Sequence, residues 1–464
     1  MDDLRITPTT GAETVLTGAA VDAFQASLCG ALLRSGDAGY ETARKVWNGM
    51  IDKHPALIIR CTGVADVLHA VRFAREHQLL VAVRGGAHNI AGHATCDGGL
   101  VIDLSAMKGM RVDPASRIVW AQGGVTWGEF DRETQTFGLA TTGGTDPTTG
   151  IAGLTIGGGL GWLQGKYGLT CDNLVSADVV TAEGQCLTVS AEEQPDLFWG
   201  LRGGSGNFGI VTSFAYRLHP VGPMLGGMVR HPFAKAKEVL RFYRDFTTEA
   251  PDELTAAAGV LTGQDGQLMV AILASYCGSL QEGERVLKPL RSFGPPVHDD
   301  IRPMAYQDIQ KLLYVFEADV QNYWKADFLR GLTEEAIETI VAHSATKTSP
   351  MSAVALLPIN GAAARVAPGE TAFVHRKHLY HLFIISQWRD PAESDRHIRW
   401  TREFWTATHR FAGVGVYVNE LGYDDGEDRF RAAYGANYDR LVHLKNTYDP
   451  SNFFRLNPNI RPTV

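Results

Sequence analysis

The chain of 464 residues contains no apolar run long enough to cross a bilayer, and its opening, MDDLRITPTT, lacks both the basic and the apolar part of a secretion signal. No membrane association is expected, and a cytoplasmic location is. No stretch of Lys and Arg is dense enough to follow a phosphate backbone. Acidic side chains outnumber basic ones, 51 to 43, for a net charge of -8, so nucleic acid is not an expected partner. Cysteine is scarce: Cys29, Cys61, Cys96, Cys171, Cys186 and Cys277 include no CxxC pair and no regular spacing. That excludes a disulfide framework and a thiolate zinc site, and it fits a reducing compartment. Internal repeats and low-complexity linkers are missing as well.

Glycine is what the chain has in excess. There are 50 of them, crowded between Gly85 and Gly209, where tight turns and close approach of backbone to a ligand demand them. With 45% hydrophobic residues the chain can bury a large core, and its length predicts two or three domains. Ala56 to Arg60, Leu79 to Arg84 and Gly99 to Asp103 read as strands around a helix from Val64 to His77, an α/β unit with a glycine loop after its second strand. Strands are also predicted at Arg117 to Gln122, Ser176 to Thr181, Gly184 to Ser190 and Phe208 to Leu218. Beyond Pro220 glycine thins out. Strands at Leu225 to His231, Ala256 to Leu261, Leu268 to Tyr276, Ser352 to Leu357 and Leu379 to Trp388 are interleaved with amphipathic helices at Ala234 to Phe246, Leu280 to Ser292, Thr333 to His343 and Ser394 to Phe411. This pattern predicts an antiparallel sheet with helices on one face. The expected division is 1–220, 221–415, and a tail, 416–464, that returns to the first domain.

Gly204-Ser205-Gly206-Asn207-Phe208-Gly209 matches the dinucleotide fingerprint GxGxxG, but a helix precedes it and a strand follows, the reverse of what that motif requires. His88, His93 and Cys96, like His375, His378 and His381, have a spacing that raises a metal site. The first set has no carboxylate or second thiolate pair to complete a shell, and the spacing of the second sends side chains to alternating faces of a strand; no metal is expected. Arg84-Gly85-Gly86-Ala87-His88-Asn89 follows a strand and can form a backbone nest for a pyrophosphate. It is joined by Gly143-Gly144-Thr145-Asp146, by Gly150, Gly153 and Gly157 to Gly161, and by Tyr167-Gly168-Leu169-Thr170-Cys171-Asp172-Asn173. Several such loops in one half of a chain imply a long ligand lying against backbone.

In this order the segments VRGGAHNIAG, TTGGTDPTTGIAGLTIGGGLGWL, KYGLTCDNL, LRGGSGNFGIV and NYDRLVHLKNTYDPSNFFRLNPNI resemble the vanillyl-alcohol oxidase and p-cresol methylhydroxylase superfamily of FAD enzymes, and within it the berberine-bridge-enzyme-like oxidases. The likeness runs from about Pro55 to Pro220 and from Tyr417 to Ile460. It implies an α+β, two-domain FAD-binding fold with an antiparallel-sheet substrate domain covered by helices. It further implies that FAD is held covalently at two points, the 8α carbon on His88 and ring carbon C6 on Cys171. Arg84, Gly85, Gly86, Ala87, Asn89 and Gly92 would wrap the pyrophosphate. Gly143, Gly144, Thr145, Gly150, Gly153 and Gly158 would line the other side of the cofactor, with Asn457 and Asn459 approaching the ring from the tail.

Two positions depart from the family pattern. Ala87 replaces a common glycine, which a nest tolerates if the local φ is negative. Tyr417-Val418-Asn419-Glu420 stands where many relatives have Tyr-x-Asn-Tyr, so Glu420 occupies the place of the tyrosine that serves as base. Glu420, Tyr417 or a residue of the second domain's sheet is then the expected base, and partial desolvation tunes a carboxylate for that task. The expected activity is oxidation of a small-molecule alcohol, such as a sugar or glycosylated natural product, with molecular oxygen as acceptor. The alternatives are an amine or activated ring as substrate, a hydrolase or metal enzyme built on the histidine clusters, and a flavoprotein without activity. Tyr323, Trp324, Gln387 and Trp388 are candidate wall residues, and Thr149 and Ile151 candidates for controlling access of oxygen.

Overall fold

The computed structural model describes residues 3–6, 14–313, 320–377, 379–413 and 415–464. Its first half is built on two sheets. The first has the order Ala31–Leu33, Leu57–Arg60, Leu100–Asp103, Val81–Arg84, with the last three parallel. Parallel strands are covered on both faces and read as continuous apolar runs, as LIIR and LVID do, and the helix Val64–Glu76 packs Val67, Ala70, Val71 and Ala74 against them. Gly85 begins the loop at the carboxyl end of Val81–Arg84, the end at which parallel sheets present their ligand sites. The second sheet is antiparallel, in the order Cys186–Ser190, Leu174–Val180, Ile210–Arg217, Ile118–Gln122, Met110–Asp113. The strand Ile210–Arg217 follows the short helical turn Ser205–Asn207, so the GxGxxG stretch leads into a strand.

A large antiparallel sheet begins at Met224. Its order is His298–Asp299, Met224–Pro232, Leu268–Tyr276, Leu254–Thr262, Ala353–Ile359, Leu379–Trp388, Gln321–Leu329, with Arg302–Met304 also on the second of these. The helices Ala236–Thr248, Leu280–Ser292, Glu334–Ala345 and Ser394–His409 pack on one face. Side chains alternate along a strand, and here the alternation separates two environments: Ala258, Leu356, Leu382 and Ile384 join the core under the helices, while Ala257, Ala355, Leu357, His381 and Phe383 line a cavity on the opposite face. The strand Gln321–Leu329, QNYWKADFL, was not expected, because Lys325 and Asp327 interrupt its apolar pattern. Both are buried and paired, Lys325 with Asp424 and Asp425 at 3.0 and 2.8 Å, Asp327 with Arg429 and with His409.

The C-terminal stretch locks into the first half. Phe453 and Phe454 enter the core beneath the parallel strands, and the buried Lys445 ammonium donates to Asp449 and to the carbonyls of Asn207 and Phe454 at 2.6–2.9 Å. The Ile460 N–H donates to Asn207. Among the described residues, no helix is long and apolar enough to cross a membrane.

Candidate active site

The large sheet faces the glycine loops across a cavity of about 330 Å³, within the range of small-molecule sites. Val83, Gly85, Asn89, Gly153, Ile156 and Ser205 border both this cavity and a second chamber of about 150 Å³ that extends to Asn457 and Pro458. The two form one trough along backbone, the shape several successive glycine loops imply. The loops touch each other through their glycines: a Cβ on Gly86 would stand 2.2 Å from the Gly150 nitrogen, and one on Gly150 would stand 2.4 Å from that of Gly86. A Cβ on Gly153 meets nothing within 4 Å, so that glycine leaves the trough open.

His88 lies in the cavity wall. Its Nε2 is 2.8 Å from the Thr148 hydroxyl and its Nδ1 3.4 Å from that of Thr149, and its ring stacks on Trp47 with centroids 5.3 Å apart. Burial lowers its pKa, which the nearby Asp146 carboxylate only partly opposes; the imidazole is therefore neutral and nucleophilic at neutral pH. Ala87 has φ +58°, so the condition of a negative φ under which the change from glycine is free of strain is not met. The left-handed conformation costs an alanine about 1–2 kcal/mol, and the alternation of handedness it introduces is what aims successive N–H groups into one nest.

Cys171 is not brought to the cavity. It is fully buried in the short helical turn Thr170–Asn173, held behind the glycine-rich loop by the Cys171 N–H to Gly158 carbonyl bond of 2.9 Å and the Thr170 N–H to Gly159 carbonyl bond of 3.0 Å. Its sulfur lies 3.9 Å from the Arg376 guanidinium, which makes a bidentate pair with Asp172 at 2.7 and 2.8 Å. Burial pushes the thiol pKa well up, so the nucleophilic thiolate is suppressed. Of the two expected anchors, His88 lines the trough, whereas Cys171 borders neither chamber and packs in the core.

The strand Leu379–Trp388 presents His381 to the same cavity, and its Nε2 makes a short contact with the Glu420 carboxylate. The Tyr417 ring packs edge-on against His381 with centroids 6.0 Å apart. The Tyr417 hydroxyl accepts from the Gly159 N–H at 3.0 Å and the Asn419 amide at 2.8 Å. Burial and the Glu420 charge push the Tyr417 pKa well up. The spacing of His375, His378 and His381 carries no signal for this role, since with a metal excluded it reads as three satisfied or solvent-facing histidines. His375 instead sits at the carbonyls of Ala432 and Ala433, and His378 lies outside the described residues. The usable signal was strand parity: His381 and Phe383 share a face.

The other expected residues divide. Gly85, Gly86, Ala87, Asn89, Gly144, Thr145, Gly150 and Gly153 line the main cavity with His88, Tyr417 and Glu420, and Asn457 lines the second chamber. Arg84 turns away, to the Ala43 carbonyl and Asp103. Gly92 packs on Ile51, Gly143 on Trp127 and Gln310, and Gly158 on Phe373; these are turn and packing positions. Asn459 borders neither chamber, and its buried Oδ1 has no partner. Of the candidate wall residues, Trp324 lines the cavity, while Tyr323 donates to Asp424 and Trp388 to Ser394. The trough fits FAD on its own features. Its glycines admit a ligand against backbone, and the buried polar atoms Trp162 Nε1, Trp324 Nε1 and Asn457 Oδ1 belong to lining residues and have no partner in the protein.

The family models described as FAD binding domain and as berberine and berberine like match residues 55–190 and 416–461. An FAD-linked oxidoreductase of Dictyostelium discoideum is 32% identical over 448 residues, covering 95% of this chain and 97% of that relative. The (R)-6-hydroxynicotine oxidase of Paenarthrobacter nicotinovorans is 30% identical over 457 residues, covering 94% and 97%. The crystal structure of 6-hydroxy-D-nicotine oxidase from Arthrobacter nicotinovorans superimposes with a TM-score of 0.86 at 29% identity, covering 94% of this chain and 98% of that one. Fold and site define an FAD-linked oxidoreductase. The chain belongs to the berberine-bridge-enzyme-like family of the vanillyl-alcohol oxidase and p-cresol methylhydroxylase superfamily.

Proposed function

We propose that the protein is an oxidase that takes hydride from a carbon bearing a hydroxyl group, with FAD held in the trough and bonded covalently to His88 alone. The carrying observation is the His381–Glu420 pair set against Tyr417 in the cavity that His88 also lines. The chemistry FAD supplies when bound is hydride acceptance at N5 and reoxidation by molecular oxygen with release of hydrogen peroxide. Glu420 is the base that receives the substrate hydroxyl proton, and His381 holds its carboxylate in place. Tyr417 stays protonated, because burial disfavours its phenolate. With its oxygen already accepting two N–H bonds, its proton is left to donate to the substrate oxygen.

The cavity wall argues for a flat, apolar substrate over a sugar. Among the described residues, the sheet contributes Ala257, Ala355, Leu357, Phe383, Trp324 and His381. Each sugar hydroxyl left unpaired against such a wall costs about 1–3 kcal/mol. A cyclic amine is the second reading, supported by the 6-hydroxynicotine oxidase among the relatives. Anaerobic mixing of the holoenzyme with aryl and cyclic alcohols, hydroxypyridine-type amines and oligosaccharides tests the choice by flavin bleaching. Fastest bleaching by an aromatic alcohol supports the proposal and by an amine the second reading; fastest bleaching by an oligosaccharide overturns the argument from the wall.

A further inference from the structure

Asp146, Thr148 and His88 form a chain of hydrogen bonds whose direction is fixed by counting protons. The Thr148 hydroxyl lies 2.6 Å from Asp146 Oδ1, and the same oxygen accepts the Thr148 N–H at 2.7 Å. A carboxylate only accepts, so the one hydroxyl proton of Thr148 points at Asp146. The Thr148 oxygen, 2.8 Å from His88 Nε2, then accepts in turn, and Nε2 must carry the imidazole proton. Nδ1 is left with its lone pair, and the Thr149 hydroxyl at 3.4 Å is placed to donate weakly to it. Trp47, stacked on the ring, restrains it from flipping. Tautomers of histidine are set in this way by the hydrogen bond made on the far nitrogen.

We infer that Asp146 and Thr148 are positioning residues that hold His88 as the Nε2–H tautomer and thereby direct flavin attachment to Nδ1. This rests on the reading that FAD is bonded to His88. The bond forms between Nδ1 and the methyl carbon at ring position 8. The methyl group gives up one proton, and the electron pair of that C–H bond passes to the ring and from there to molecular oxygen, the acceptor in the proposed reaction. The second proton is that on Nε2, which leaves through Thr148 toward Asp146. Two protons and two electrons leave in all, and oxygen collects them as hydrogen peroxide. Asp146 thus supplies both orientation and a proton acceptor, and Thr148 transmits both.

The test uses the full-length protein expressed with FAD, in wild-type form and as Thr148→Val, Thr148→Ser and Asp146→Asn. The readouts are protein-bound flavin fluorescence on a denaturing gel over time, mass spectrometry of the His88 peptide, and nitrogen-15 chemical shifts of the His88 ring in the same full-length proteins prepared without flavin, before any attachment, to which the tautomer outcomes below refer. Attachment slowed about tenfold or more in Thr148→Val and Asp146→Asn, with wild-type behaviour in Thr148→Ser, supports the relay. So does a protonated Nε2 in the wild type that loses its preference in Thr148→Val. Retention of noncovalent yellow colour by Thr148→Val establishes that the trough still forms. Attachment at the wild-type rate in Thr148→Val, or a protonated Nδ1 in the wild type, overturns it. A wild type whose flavin washes out entirely would instead overturn the reading of His88 as anchor, and the relay's role in attachment with it.

Discussion

That Glu420 and Tyr417 line the cavity could be anticipated from the sequence because each sits in a short motif with a fixed place in the chain. His381 could not, since its meaning depends on the face its strand turns to the cavity and on a partner 39 positions away. Cys171 shows the converse, a residue in a suggestive motif whose side chain packs into the core behind Gly158. Asp146 ends the segment Gly143-Gly144-Thr145-Asp146, and its link to His88 emerges only through the contacts of Thr148. If Glu420 is the base, Glu420→Gln should slow anaerobic flavin reduction by substrate about a hundredfold while leaving the absorption of bound flavin in place. His381→Ala should lower the same rate through loss of orientation. Reduction at the wild-type rate in Glu420→Gln would contradict the assignment.

Among the elements, the helices and most strands of the large sheet were legible from periodicity, with bounds off by a residue or two where a strand frays. Leu268–Tyr276 and Leu379–Trp388 appear as expected. The strand Gln321–Leu329 was hidden because its pairing charges lie on elements about 80–100 residues further along. The helix Trp127–Gln135 carries a signal in its sequence, the Thr126 and Glu129 capping box. The alternation in Leu379–Trp388 yields a paired prediction. Ile384, fully buried under the helices, should cost about 2–5 kcal/mol when changed to Ala. Phe383→Ala should instead change which substrates bleach the flavin, with a smaller stability loss. Chemical denaturation and a substrate panel on both variants check this; equal loss of stability would contradict the two-faced assignment of the strand.

On the scale of the whole molecule, the division of labour between a glycine-rich half and a sheet-and-helix half was visible as a change in composition near Pro220. What composition could not show is that the trough is lined by both halves and the tail, since Gly153, His381 and Asn457 come from sequence positions far apart. Stability of the assembled molecule should depend on pH in a defined way. Burial lowers His93, His219 and His375 to about 4 each, whereas unfolded histidine titrates near 6.5. Between those values the unfolded chain binds more protons, so stability is lost as pH falls from about 6.5 toward 4, on the order of 1–3 kcal/mol per histidine. Asp131 acts oppositely: burial raises it to about 8, so its contribution is lost as pH rises from about 4 to 8. The urea midpoint should therefore climb from pH 4 to 6.5 and fall toward pH 8, and Asp131→Asn should remove the fall. A midpoint flat across this range would contradict the burial of these groups.

The central claim is a single covalent anchor at His88 in an FAD trough, and the visible spectrum after acid precipitation, washing and resolubilisation in denaturant tests it most directly. Wild type and Cys171→Ala should both retain a flavin spectrum, while His88→Ala should bleach on washing. A colourless wild-type pellet, or loss of bound flavin in Cys171→Ala with retention in His88→Ala, would contradict the account.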